Sequence, residues 1–297
     1  MPPPSTEEIV DITGRSRLPR CSNGQELDKF FSLHPVPVVR RIPPMTRRNI
    51  FLLLCALLTG ELLAQDGRKI DAPKNMLIIT CHPDDWELGM AGTAYLLRDR
   101  FRIHVVIASD GELGNTWNTT GKPDPALGAL RVHHSSKSAE KIQATNHFLK
   151  MRDGGVYADE NAVNQVVGLL KDIDPEIIFL HWPIDKPDHA AASAMATMAL
   201  AKTGMMYSRE VYFFEVGKLE HFTPEIYVDI TPVWEAKKEV VRIHERFNDD
   251  RFQKMAEESA SYNGVANHCK YAEGFMPFFP ISNVRFKNRC GGSLMGL

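Results

Sequence analysis

Residues 81–87 read Cys-His-Pro-Asp-Asp-Trp-Glu, which places an imidazole and two adjacent carboxylates directly after the apolar run Met76-Leu77-Ile78-Ile79-Thr80. Histidine nitrogen and carboxylate oxygen together form a donor set for a borderline-soft divalent ion such as zinc. A turn containing Pro83 can bend Asp85 back toward His82, which leaves Asp84 unengaged. Beside a metal-bound water, such a carboxylate is the general base that a hydrolase needs. The same residues also suit a plain helix start near Glu87, with Asp84 or Asp85 as the cap and Pro83 in the first turn. A cap alone, however, requires neither His82 nor a second acid.

A third ligand must come from elsewhere in the chain. The candidate is Asp188-His189, at the end of His181-Trp182-Pro183-Ile184-Asp185-Lys186-Pro187-Asp188-His189. This segment follows the strand-like run Ile177-Ile178-Phe179-Leu180 and precedes an Ala/Met-rich stretch, 190–201, that reads as a helix. Alone, a His at a helix start is an ordinary surface or capping residue. Together with His82 and Asp85 at an equivalent strand end, it becomes a candidate ligand.

The elements that must position these residues alternate along the chain. Strand-like segments fall at 76–81, 102–109, 148–151, 176–181 and 210–216, and helical patterns near 87–99, 126–145, 160–172, 188–203 and 233–259. This alternation predicts a single Rossmann-like three-layer α/β domain, a mostly parallel sheet with helices on both faces. Right-handed crossovers then bring the turns after the first and fourth strands to the carboxyl edge of the sheet, where ligands bind in open α/β folds. Gly89-Met90-Ala91-Gly92 lies within the first helix and reads as close helix packing rather than a phosphate loop.

Taken in order, the His-Pro-Asp-Asp-x-Glu string and the later Pro-Asp-His resemble the PIG-L/LmbE-like de-N-acetylases, zinc enzymes that remove acetyl or related acyl groups from amino sugars. The resemblance spans roughly residues 74–280. It includes Ser109-Asp110-Gly111-Glu112, Arg131, Asp229-Ile230-Thr231 leading to Lys237 and His244, and Tyr271-Ala272-Glu273-Gly274-Phe275. It implies zinc ligation by His82, Asp85 and His189, with Asp84 as general base and the fourth zinc position open for water and the substrate carbonyl. Glu112 and Arg131 match family positions near the sugar-binding cleft, against the plainer readings of a solvated loop acid and a helix-face arginine. Glu87 is assigned to the helix N-terminus or to holding the loop.

One departure is evident. Many members carry His-Pro-Asp-His where this chain has Lys186-Pro187-Asp188-His189. The first His of that motif helps stabilise the tetrahedral intermediate or protonates the leaving amine. Lys186 can offer positive charge to an oxyanion, but as an acid it needs a lowered pKa. His181, or a residue outside this loop, is an alternative acid, and Asp188 is then open to pair with Lys186.

Composition fits a compact enzyme: 297 residues, 43% hydrophobic and 24% charged. A formal net charge of −2 and a pI near 6.6 give no basic field for nucleic acid. Met45-Thr46-Arg47-Arg48, the apolar run Ile50 to Leu58 and Leu62-Leu63-Ala64 follow the order of an export signal, expected at 45–64. The apolar run is too short for a stable membrane span, which takes about 20 residues. Arg47-Arg48 leaves ordinary and twin-arginine export both open. Residues 1–44 are rich in Pro and Arg and read as disordered or untranslated, so the deacetylase-like domain is expected at 65–297.

Cys81 reads as a small apolar residue ending a buried strand, and Cys269 and Cys290 are too weak a pattern to assign a disulfide. Among Trp86, Trp117 and Trp182 near the site edge, Trp117 is the preferred sugar contact, in the loop Gly114–Thr120. The expected function is an exported zinc-dependent amidohydrolase acting on an N-acetylglucosamine-type sugar or glycoconjugate. The alternatives are a catalytically degenerate carbohydrate-binding protein and a zinc amidase for a larger acyl or thiol-sugar conjugate. Oligomeric state is not legible.

Overall fold

β1 (Lys74–Thr80) sends Met76 and Ile78 into one core and Leu77 and Ile79 into another, as a strand covered on both faces must. The computed structural model describes residues 73–114, 121–219, 221–244 and 250–279. The segments 1–44 and 45–64, together with Trp117 and Cys290, lie outside the described residues. The unit considered is Lys69–Leu297.

The other strands are β2 (Phe101–Ser109), β3 (Thr145–Met151), β4 (Ile177–His181), β5 (Glu210–Phe214), β6 (Ile226–Asp229) and β7 (Ala272–Pro277). They form one seven-stranded sheet in the order β3-β2-β1-β4-β5-β7-β6. The pairings from β3 through β5 are parallel, whereas β7 runs antiparallel to both β5 and β6. The chain winds outward from β1 to β3, then returns to lay β4 against the other side of β1. The crevice between the carboxyl ends of β1 and β4 is therefore the topological switch point, where ligands bind in this architecture.

The helices are α1 (Asp85–Leu97), α2 (Pro125–Lys141), α3 (Glu160–Ile173), α4 (Pro187–Thr203), α5 (Trp234–Arg242) and α6 (Arg251–Ala266). α1, α5 and α6 fill one core with Trp86, Leu88, Trp234, Val240 and Ala256. α3 and α4 fill the opposite core with Val163, Val166, Ala192 and Met195. The expected three-layer arrangement is thus present. Caps start the helices: Asp124 accepts from the N–H groups of Ala126 and Leu127, Asp159 accepts from Ala162, and Pro187 opens α4. No described helix is long and apolar enough to cross a membrane.

Three expectations are corrected. The helix read at 233–259 is two helices, because the chain closes tightly at Ile243 and His244, whose N–H groups bond to Val240 O and Val241 O. The helix read to 145 stops at Lys141, since Gln143 takes φ 58° and lets Ala144 N–H reach Ala139 O. β6 and β7 were not read as strands. β6 is only four residues long, and β7 carries Glu273, Gly274 and Pro277, so neither shows a clean apolar period.

α1 carries a break that the rest of the fold repairs. Met90 leaves helical geometry (φ −150°, ψ 17°). Leu88 O and Gly92 N, which a straight helix pairs with each other, instead bond to a buried ion pair. Lys237 Nζ donates to Leu88 O at 2.8 Å and to Glu273 Oε1 at 2.6 Å. Glu273 in turn accepts from Gly92 N at 2.9 Å and Thr93 N at 2.7 Å. Gly92 also lets Ile230 pack closely on the break, because a Cβ there would stand 2.8 Å from Ile230 Cγ2. Lys237→Met is expected to lower the unfolding free energy by about 3–5 kcal/mol, measured by denaturant titration. The Lys237→Met/Glu273→Met double variant is expected to recover none of that loss, because Gly92 and Thr93 N–H remain buried and unpaired. Recovery toward wild type would show that the pair does not serve the helix break.

Candidate metal centre and cleft

The turn after β1 folds back on itself through its own acid. His82 N–H donates to Asp85 Oδ2 at 2.7 Å, and Asp85 opens α1. From the turn after β4, His189 in the first turn of α4 reaches the same carboxylate. Three donor groups converge: His82 Nδ1 lies 3.3 Å from His189 Nε2 and 3.4 Å from Asp85 Oδ2, and His189 Nε2 lies 3.2 Å from Asp85 Oδ1. Donors about 2.0–2.1 Å from a tetrahedral ion stand roughly 3.3–3.4 Å apart, so these atoms fit the corners around one divalent cation. His82, Asp85 and His189 are all buried.

Carboxylates behind the rings fix which nitrogen each presents. His82 Nε2 is 3.1 Å from Asp153 Oδ1 and 3.6 Å from Asp188 Oδ2, which leaves Nδ1 for the centre. His189 Nδ1 is 2.7 Å from Asp185 Oδ2, which leaves Nε2. This carboxylate-behind-histidine arrangement is characteristic of metal sites. Asp153 and Asp185 were not singled out in the sequence. Asp185 stands four residues before His189, and Asp153 sits with Gly154 and Gly155 in the turn after β3, at the same carboxyl edge. Edge position was the available signal in both cases.

His181 supports the centre from below. It is fully buried, accepts from Cys81 N–H at 3.1 Å, lies 3.3 Å from Asp85 Oδ2 and stacks on the His189 ring at 4.1 Å between centroids. Burial and the neighbouring His189 charge push its pKa down to about 4, so the ring is neutral. It does not line the cleft, which removes it as the alternative acid. Burial raises the Cys81 thiol to about 11, in keeping with an apolar strand end.

Asp84 stays outside the three-donor cluster and lines a cleft of about 480 Å³. Its backbone is in the left-handed region at φ 117°, a conformation costing about 1–3 kcal/mol in a residue with a side chain. Two contacts hold it there. Glu87 Oε2 accepts Asp84 N–H at 3.1 Å, and Glu87 Oε1 is bonded to Ser135 Oγ and His244 Nε2, both at 3.0 Å. Arg131 donates to Asp84 Oδ2 at 2.9 Å and to Pro83 O and Gly111 O at 2.8 Å each. Gly111, at φ 72°, leaves room for the guanidinium.

Several expected contacts are placed differently. Arg131 lines the cleft, but its guanidinium clamps the Pro83–Asp84 turn and is not a freely offered sugar contact. Glu112 packs its Cβ toward Gly128 of α2, while its neighbours Leu113 and Gly114 reach the cleft. Asp188 accepts from Gly154 N–H at 2.7 Å and Val156 N–H at 3.4 Å. Among the described residues, no ion pair joins Asp188 to Lys186. Lys186 is exposed and lines the cleft. Trp86 is wholly in the core, and Trp182 packs edge-on against Phe213 and Phe222.

Without a metal, the electrostatics favour protons at the centre. Burial opposes charge on both rings, yet Cys81 with Asp153, Asp188 and Asp85 holds the His82 pKa above the ordinary 6.5, and Asp85 with Asp185 does the same for His189. Burial likewise opposes ionisation of Asp85, but His189, His181 and His82 hold its pKa well below the usual carboxylate range. A divalent ion must therefore displace imidazole protons. Metal affinity is expected to fall as pH drops through the raised histidine pKa values, by roughly tenfold per proton per pH unit. Calorimetry in buffers of different ionisation enthalpy measures the released protons. Binding without proton release would contradict this charge assignment.

With this geometry in view, the likenesses are specific. The family model described as PIG-L, GlcNAc-PI de-N-acetylase, matches residues 77–200. Diacetylchitobiose deacetylase of Thermococcus kodakarensis is 27% identical over 243 residues, covering 73% of this chain and 90% of that protein. The 4-oxalmesaconate hydratase of Pseudomonas putida is 23% identical over 239 residues, covering 72% of this chain and 93% of that protein. The fold matches the crystal structure of N,N'-diacetylchitobiose deacetylase from Pyrococcus horikoshii, with a TM-score of 0.60 and 23% identity over 80% of this chain and 94% of that one. Residues 77–200 carry the His82–Asp85 turn, Arg131 and the His189 helix, and it is over these residues that the chain is similar to the PIG-L family.

Proposed function

We propose that this protein is a zinc-dependent hydrolase that removes an N-acetyl or related N-acyl group from an amino sugar or its conjugate. The observation that carries the proposal is the convergence of His82 Nδ1, the Asp85 carboxylate and His189 Nε2 at 3.2–3.4 Å, beside a cleft-lining Asp84 that is not part of that cluster. The deacetylase relative from Thermococcus kodakarensis supports the substrate class. The mixed imidazole and carboxylate donors suit zinc. When bound, the ion supplies Lewis acidity toward a carbonyl and lowers the pKa of water. Export is part of the proposal and is supported by the basic, apolar and small-residue order of residues 45–64.

The chain's own residues do the rest. Arg131 fixes one oxygen of Asp84, so the carboxylate is aimed before substrate arrives and can take a proton from water in the cleft. The Lys186 ammonium, at the cleft rim, meets negative charge as it builds on the carbonyl oxygen. Asp153 and Asp185 keep His82 and His189 in fixed ring orientation through the cycle. The hydratase relative from Pseudomonas putida favours a second reading, addition of water without amide cleavage.

Acetate release from N-acetylglucosamine and its glycosides separates the two readings. Release that stops with chelator and returns with zinc is the expected result. No release of acetate or of any longer acyl group from N-acyl glucosamines by the zinc-loaded protein would overturn the deacylase reading. Asp84→Asn is expected to keep stoichiometric zinc and lower kcat by about 10²–10⁴-fold. Near-normal turnover in that variant would remove Asp84 as the base. Lys186→Ala is expected to lower kcat by about 10²-fold with a smaller change in KM, and an unchanged kcat would exclude it from charge stabilisation.

A further inference from the structure

The two ends of the cleft differ in chemistry. The end above β2 and β3 presents Asp153, Gly154, Gly114 and the Arg131 clamp, with Leu113 as its apolar side chain among the described residues. The end above β5 is lined by Leu88 of α1, Val216 just after β5, and Phe252 and Met255 of α6. Val216, Phe252 and Met255 are only partly buried, resting on the core and facing the cleft. Met255 packs beside Gly217, where its Sδ would make ordinary van der Waals contact, 3.5 Å, with a Cβ. Between the two ends stand the three-donor centre, Asp84 and Lys186.

Resting on the deacylase reading above, we propose that the apolar end is an acyl subsite, and that the preferred substrate carries an apolar N-acyl chain longer than acetyl. An amide held at the centre has the sugar on one side and the acyl group on the other. Sugar hydroxyls need hydrogen-bonding partners, and among the described lining residues the polar side chains stand at the β2/β3 end and the centre, whereas the four side chains of the β5 end are apolar. The acyl chain is therefore directed toward Leu88, Val216, Phe252 and Met255. Acetyl would leave most of that wall in water, whereas a longer chain would cover it.

The test uses the zinc-loaded protein and glucosamine carrying N-acetyl, N-butanoyl, N-hexanoyl and N-octanoyl groups. Expected is a rise in kcat/KM of roughly fourfold per added methylene until the wall is covered. In Phe252→Ala and Met255→Ala, the ratio of hexanoyl to acetyl turnover is expected to fall by about tenfold or more. Calorimetric titration of wild type with the same compounds reads the wall without turnover. Acetyl turnover with no rise along the series in rate or affinity would overturn the acyl subsite and leave the deacylase reading standing. Affinity that climbs with chain length in a protein that hydrolyses none of the compounds would overturn the deacylase reading instead. A larger gain from an octyl glycoside of N-acetylglucosamine than from the N-octanoyl compound would assign the wall to an aglycone and overturn the proposal.

Discussion

A carboxylate buried among three imidazoles sets the terms for this structure. Asp85 is 2% exposed, and moving such an ion out of water costs several kcal/mol unless its oxygens are fully engaged. Here His82 N–H, the His181 ring and the His189 ring surround it. Those rings come from two turns about a hundred residues apart in sequence, and they meet only because β4 is laid against β1. The crossover at the sheet's switch point is thus tied to one acid, and the acid has no stable home without the crossover.

The layers around Asp85 preserve that arrangement rather than add to it. Asp153 and Asp185 orient the His82 and His189 rings, and Arg131 and the Glu87–His244 pair hold Asp84 in its left-handed conformation. Further out, Lys237 and Glu273 stabilise the break in α1, the helix that starts at the His82–Asp85 turn. Each support is a charged or polar contact made across the fold between distant elements. Removing one partner therefore leaves a buried group unpaired as well as displacing the site. The cleft's apolar wall above β5, formed by Leu88, Val216, Phe252 and Met255, stands apart from these charged supports.

Much of this was legible in the sequence, for physical reasons. The runs at 76–81 and 176–181 are continuous because parallel central strands bury both faces, and the acids and histidines cluster just beyond them because that edge is where side chains can converge. The supports were less legible. Asp153 carries no spacing signature, since its partner His82 lies 71 residues away. Arg131 sits on the expected helix, but only the folded structure shows its guanidinium turned onto the Pro83–Asp84 turn. The split of the 233–259 helix depends on His244 turning inward to Glu87, a tertiary contact that helical periodicity cannot report. Lys237 and Glu273 were visible as ordered motif elements without any sign of the helix break they serve.

X-ray absorption at the zinc edge of the zinc-loaded protein measures the central claim directly. The account requires one ion per chain with only nitrogen and oxygen neighbours at about 2.0–2.2 Å, imidazole scattering from two rings, and loss of that shell in Asp85→Ala. Cys81 and His82 can also be grouped with Asp188 as a ligand set. A sulfur neighbour at about 2.3 Å, or a shell unchanged by Asp85→Ala, would contradict the assignment of the centre to His82, Asp85 and His189.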